Sequence, residues 1–131
     1  EWARNTKNAD GQRVIDDPLA QRNLAEVYAH LEAMRVMNAR MSWQLDQQKM
    51  DPVFPSAIKV YSTEIMLEIC RILMDVVGPH ALIAAGSEGA VLHGDLEHEY
   101  RRATISTFGG GVVEVLRGLV ATHGLGMPSH R

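Results

Sequence analysis

A chain of 131 residues, 46% hydrophobic and 22% charged, has room for one folded domain with a real core and does not have the composition of a disordered segment. Its formal net charge of -3, with Lys and Arg scattered along the sequence, leaves no electrostatic footprint for nucleic acid. No apolar run approaches the roughly 20 residues a membrane helix needs, and no charged-then-apolar leader precedes Trp2. Because the single Cys70 cannot form an internal disulfide, a cytoplasmic protein is expected.

Glu1-Trp2-Ala3-Arg4-Asn5 opens without Met or a capping residue, as though the chain began inside a helix, and residues up to Lys7 are compatible with the last turns of that helix. On this reading residues 1–131 are one domain, the C-terminal part of a longer protein whose first helix is truncated at residue 1. Asn8-Ala9-Asp10-Gly11 is the breaker. Asp17 then reads as an N-cap with Pro18 at the first helical position, where its fixed φ is already helical and its missing N–H costs nothing. Leu24, Val27, Leu31, Met34, Asn38, Met41 and Leu45 follow in steps of three and four, which predicts a long helix with a narrow bundle seam and a partly exposed Asn38.

Met50-Asp51-Pro52-Val53-Phe54-Pro55 marks a connection, and Asp51 or Ser56 can cap a second long helix. Ile58, Tyr61, Ile65, Ile69, Ile72, Leu73 and Val76 form its core stripe. Met66, Leu67, Cys70, Met74 and Val77 spread apolar surface around its second half, so the helix is expected to be central or covered by a partner chain, and the protein is expected to oligomerise. Gly78-Pro79 is the stop. The Gly-punctuated stretch from Ala81 to Gly94 reads as a loop with one helical turn around Ala84 to Val91. Asp95 can cap a third helix running to about Thr107, with Glu97 placed for an i,i+4 pair with Arg101. Gly109-Gly110-Gly111 interrupts the helical pattern. The apolar restart from Val112 predicts a fourth helix to about Thr122, closed by Gly124, with a frayed or partner-bound tail to Arg131. No alternating strand pattern competes, so the expected fold class is all-α, an up-and-down four-helix bundle.

Few side-chain constellations carry chemistry. Among six histidines the densest pair, His93 and His98, are five apart with Gly94 between them. Ligands on one helical face want separations of three or four, and the segment reads as a solvated acidic helix start with no metal. His30 and His80 read as surface or structural histidines. No Ser, Cys or Lys nucleophile has a recognisable base nearby. Gly86-Ser87-Glu88-Gly89 lacks the preceding strand a phosphate loop requires. The seven methionines fall mostly in helical seams as gap-fillers. That leaves the glycine triplet, where Gly is costly to order unless φ is positive or another group comes close. Free backbone N–H groups at a helix start also favour an anion.

The stretch from Tyr100 to Arg117 resembles the C-terminal signature of the acyl-CoA dehydrogenases, in which an Arg-containing helix runs into a turn and then a Glu/Gln-x-x-Arg helix. Arg101, Gly111, Glu114 and Arg117 stand at those spacings, and Gly124-Leu125-Gly126-Met127-Pro128 resembles the Gly-Leu-Gly-Leu-Pro ending of many bacterial members. Asp75 to Leu82 sits where the family carries a Gln-x-x-Gly-Gly-x-Gly turn. The resemblance implies the family's C-terminal helical domain, a flavoprotein that binds FAD and acts on acyl-CoA, with Lys7, Asp75, Gly78, Gly109, Gly110, Gly111 and Glu114 at the cofactor. It also implies departures. Gly110 occupies the place of one branch's catalytic Glu, the usual Gln is Asp75 and the usual Thr is Val112. Other branches carry the Glu on the preceding helix, about twenty residues upstream of Glu1 for a helix of typical length. A homo- or hetero-oligomer through helical faces follows, and in a mixed oligomer a partner subunit supplies the base. The competing expectation is a helical assembly module without cofactor.

Overall fold

The computed structural model describes residues 1–129, so the end of the expected tail, His130 and Arg131, lies outside the described residues. A one-turn helix, α1 (Trp2–Asn5), opens the chain and ends before Lys7. Asn8 is the reason. Its Oδ1 accepts the N–H groups of Asp10 at 3.1 Å and Gln12 at 2.9 Å, and its own N–H donates to the Gln12 carbonyl at 2.8 Å. Such a side-chain-organised turn competes with helix continuation. Lys7 therefore pairs with Arg13 in an isolated antiparallel bridge, which corrects the expectation that the helix reaches it. A 3-10 turn (Val14–Asp16), tied by the bidentate Arg13–Asp16 pair at 2.7 and 2.8 Å, leads into the long helices.

The two long helices start and stop where their punctuation lies. α2 (Pro18–Asp46) begins with Asp17 Oδ1 accepting the Leu19 N–H at 2.9 Å. α3 (Phe54–Val77) follows Asp51, whose Oδ1 accepts the Val53 N–H at 2.9 Å, so Asp51 rather than Ser56 organises the start. Gly78, at φ 76°, ends α3 with its N–H on the Met74 carbonyl at 2.8 Å.

After Gly78 the loop carries 3-10 turns at Pro79–Leu82 and Val91–Gly94. The single helical turn expected at Ala84 to Val91 is thus displaced to the loop's two ends. Leu92, His93 and Gly94 are left-handed in succession at φ 52°, 57° and 78°. With Gly94 making that turn, Asp95 is the first residue of α4 (Asp95–Ser106) and not its cap. Glu97 and Arg101 form the expected bidentate pair, whose longer contact is 3.0 Å, and the Arg101 guanidinium holds the Glu97 carboxyl below the usual carboxylate range. α5 (Val113–Leu119) continues into a π turn (Val120–Gly124), where the Thr122 hydroxyl donates back to the Gly118 carbonyl at 2.9 Å. Gly124 does not close this helix. A Cβ there would stand 3.1 Å from Val53 Cγ1, so the glycine serves close packing, and the left-handed residue is Gly126 at φ 66°.

The chain is all-α: the four main helices α2 to α5 are preceded by the short α1, and no strand occurs among the described residues. It divides into two compact units, residues 1–30 with 68–102, and residues 31–67 with the described residues from 103 on. In the first unit, Leu19, Ala20 and Asn23 of α2 share a hollow with Asp75 and Val76 of α3, the antiparallel pairing of an up-and-down arrangement. Ala20, Val27, Ile69, Cys70, Ile72 and Ala81 are its buried interior. In the second unit Ile58, Ala103 and Val113 are buried with Gln44 and Thr63, and the Arg40 guanidinium stacks 4.7 Å over the Phe54 ring.

The expected α2 seam is only partly kept. Asn38 is exposed, in line with expectation, but Leu31 and Leu45 are 44% and 56% exposed, and Gln44 is buried with its Oε1 lacking a hydrogen-bond partner among the described residues. The covered line turns by about 100° around the helix between Val27 and Gln44, at 100° per residue. The two halves of α2 answer to different units and different neighbours. On α3, by contrast, Ile69, Cys70 and Ile72 are buried and Leu73, Met74, Val76 and Val77 half-buried, so most of its apolar surplus is already covered within the chain.

Cys70 is 3% exposed, and burial, then the nearby Glu99 charge, pushes its thiol pKa up. The thiolate is the reactive form. Native protein at neutral pH is expected to resist alkylation at Cys70 and to label only under unfolding conditions, which mass spectrometry of iodoacetamide-treated protein reads directly.

Candidate functional site

The glycine turn is built from both flanks. At the end of α4 the Thr107 N–H and hydroxyl both reach the Thr104 carbonyl, at 3.3 and 2.8 Å, while Phe108 and Gly109 donate to the Ile105 carbonyl at 3.3 and 3.1 Å. Gly109 therefore still belongs to the winding-down of α4. The reversal is made by Gly110 at φ 75° and Gly111 at φ 125°, conformations an L side chain rarely adopts. The turn closes on itself where the Val113 N–H donates to the Thr107 carbonyl at 3.2 Å.

Val112 precedes α5 in an extended conformation, and its apolar side chain makes no cap bond. Within the turn itself, the main-chain N–H groups of Gly110, Gly111 and Val112 have no hydrogen-bond partner among the described residues. Nothing lies within 4 Å of where a Gly110 Cβ would be, while a Gly111 Cβ would meet Leu116 Cδ1 at 3.4 Å. Glu114 is exposed in the first turn of α5. This arrangement presents backbone donors from a chain without side-chain obstruction, so it fits a ligand rich in acceptor oxygens. It carries no group at position 110 that could remove a proton.

Lys7, Asp75 and Gly78 are brought together in the first unit. They line a cavity of about 590 Å³ with Trp2, Thr6, Asn8 and His80 among others. Its electrostatics are mixed: the exposed Lys7 ammonium favours an anion, and the exposed Asp75 carboxylate opposes one. The remaining predicted positions, Gly109, Gly110, Gly111 and Glu114, belong to the second unit. No cluster of three or more His, Cys, Asp or Glu side chains that could hold a metal occurs among the described residues. No described helix is long and apolar enough to cross a membrane.

Two residues that sequence reasoning passed over stand beside the turn. Lys59 of α3 donates from Nζ to the Ser106 carbonyl at 2.9 Å, and Glu64 of α3 accepts from Arg117 of α5 at 2.7 Å. The available signal was a lone lysine inside the Ala57-Ile58-Lys59-Val60-Tyr61 run, the one lysine of α3.

Comparison with known proteins gives the family. The family profile described as acyl-CoA dehydrogenase, C-terminal domain, matches residues 1–125. Acyl-CoA dehydrogenase FadE26 of Mycobacterium tuberculosis is 40% identical over 98% of the chain and 33% of its own length. FadE29 of the same organism is 29% identical over 97% of the chain and 32% of its own length. Among solved structures, the ChsE4-ChsE5 complex of M. tuberculosis superposes at a TM-score of 0.91 with 40% identity, covering 98% of this chain and 33% of that one. The Tcur3481-Tcur3483 steroid ACAD superposes at 0.84 with 42% identity over 89% and 30%. The chain thus spans about a third of the length of these relatives. With the helical fold, the Arg101, Gly111, Glu114 and Arg117 spacing and a profile match over nearly its whole length, the chain belongs to the acyl-CoA dehydrogenase family, in the region of that family's C-terminal domain.

Proposed function

We propose that residues 1–131 are the C-terminal helical domain of an FAD-dependent acyl-CoA dehydrogenase subunit that works in a mixed oligomer, where a partner subunit supplies the catalytic base. The reaction is α,β-dehydrogenation of an acyl-CoA thioester. The observation that carries the reading is Gly110: it stands at the place of one branch's Glu, in a left-handed backbone with open space around it and no carboxylate. The N–H groups of Gly110, Gly111 and Val112, with Glu114, are the residues of the second unit that would turn toward a cofactor; in the first unit the candidates are Lys7, Asp75 and Gly78, which line one cavity. When bound, the flavin supplies acceptance of the β-hydride. Removal of the α-proton needs a carboxylate within hydrogen-bond reach, which this domain does not offer at that position. Asp75 opposes a pyrophosphate and Val112 brings no hydroxyl, so the domain's own hold on the cofactor is weak.

Two-component solved relatives support the mixed oligomer, as do the exposed apolar side chains of Leu31, Val36, Trp43 and Leu45 on α2 and of Ile105, Phe108, Val115 and Leu125 further on. The lone buried Cys70 supports a cytoplasmic location.

The test is to express the full-length subunit alone and together with a second acyl-CoA dehydrogenase subunit from the same source, and to follow flavin bleaching by acyl-CoA substrates of several lengths, including steroid acyl-CoA thioesters. Activity is expected only in the co-expressed complex. Rapid reduction by the subunit alone would overturn the missing-base reading and place the carboxylate upstream of Glu1. A complex that holds no flavin would favour the cofactor-free assembly module.

A further inference from the structure

From the contacts around the glycine turn, we propose that Lys59 and Glu64 of α3 are positioning residues that hold the turn at both ends and so set where its backbone donors stand. The inference rests on the reading of Gly109 to Gly111 as a cofactor-facing segment and names what fixes that segment. On the near side, the Lys59 ammonium binds the Ser106 carbonyl, the last of α4, across 47 residues of sequence, where a cation also favours the helix's negative end. Among the described residues no carboxylate lies within ion-pair distance of Lys59. Capping α4 is what this half-buried cation does in the fold.

On the far side, Glu64 holds Arg117 of α5 across 53 residues. The two anchors are about 7.5 Å apart along α3, at 1.5 Å rise per residue. Between them the Val113 N–H closes the turn on the Thr107 carbonyl. Lys59 is itself pinned: its carbonyl accepts the Thr63 hydroxyl at 2.8 Å and the Ser62 hydroxyl at 3.3 Å, and Thr63 is buried. The chain of contacts therefore runs from the interior of α3 through Lys59 to the end of α4, across the glycines to α5, and back through Arg117 to Glu64. A glycine turn has no side chains of its own to define its geometry, so its definition has to come from its flanks.

The experiment uses the full-length subunit co-expressed with its partner, as wild type, Lys59→Met, Lys59→Arg and Glu64→Gln. Amide hydrogen exchange of the segment 107–113 and FAD affinity from flavin fluorescence are measured on each. A charge-assisted hydrogen bond of this kind predicts about tenfold faster exchange in the segment and about tenfold weaker FAD binding in Lys59→Met, with α3 residues 69–76 unchanged. Lys59→Arg keeps a cationic donor and is expected to restore both values; Glu64→Gln, on a solvent-exposed pair of small expected worth, shifts both in the same direction by less. Unchanged exchange in Lys59→Met and Glu64→Gln overturns the proposal. Faster exchange with unchanged FAD affinity also overturns it, because the turn would then be loosened without consequence for the cofactor. If the wild-type complex binds no FAD while exchange still responds to Lys59→Met, the cofactor reading of the turn fails and the anchoring by α3 stands.

Discussion

Valine at position 111 is expected to destabilise the folded protein by about 1–3 kcal/mol, the usual cost of forcing a side chain into a sparsely populated backbone region. Gly111 sits at φ 125°, which a β-branched residue occupies only under strain, and the new Cβ would already touch Leu116 Cδ1 at 3.4 Å. The two methyl groups beyond it must then displace Leu116 or twist the turn. Gly110 is the internal control. It is also left-handed, at φ 75°, but has open space around it, so Gly110→Asn is expected to cost less than about 1 kcal/mol because Asn tolerates that region. Paired thermal melts of the two variants give the comparison. Equal melting temperatures for Gly111→Val and wild type would mean that the turn does not hold this conformation.

A larger loss is expected from Gly94→Ala, on the order of 3 kcal/mol, since strain and overpacking act together there. Gly94 is buried at φ 78°. An added Cβ would run into the backbone of the loop it packs on, clashing with Ala85 N and standing 2.6 Å from Ala85 Cα and 2.9 Å from the Ala84 carbonyl carbon. A side chain could rotate away, whereas backbone has to move. The neighbours are already under tension, because Leu92 and His93 hold left-handed φ values of 52° and 57° without being glycine. Such conformations persist only where the surroundings over-determine them. Releasing the Gly94 contact should therefore let residues 79–94 relax together, seen as faster amide exchange over the whole loop and a lower melting temperature. A variant that melts like wild type with the loop still protected would refute the close approach.

What the amino-acid sequence determined by itself is what depends on near neighbours. Asp17-Pro18 and Gly78-Pro79 carry their start and stop signals within two residues, and the structure obeys both. The Glu97–Arg101 pair follows from helical spacing alone. The all-α class and the family were legible for a related reason: the Arg101, Gly111, Glu114 and Arg117 spacing is a local pattern that survives without knowledge of the fold.

The errors fall where a distant residue casts the deciding vote. Nothing near Gly124 announces that it faces Val53 rather than ending a helix, and the line buried along α2 swings from Val27 to Gln44 because its two halves belong to different units. Asn8 could have been read as a turn organiser, but only the bridge between Lys7 and Arg13 shows that it cuts the first helix short. The anchoring of the glycine turn by Lys59 and Glu64 spans 47 and 53 residues, and no periodicity reports a contact of that range. Short-range hydrogen bonding and steric limits on φ are written into each few residues. Which polar side chain reaches which carbonyl, and how closely two backbones may approach, depends on how the helices pack, and only the tertiary structure decides that.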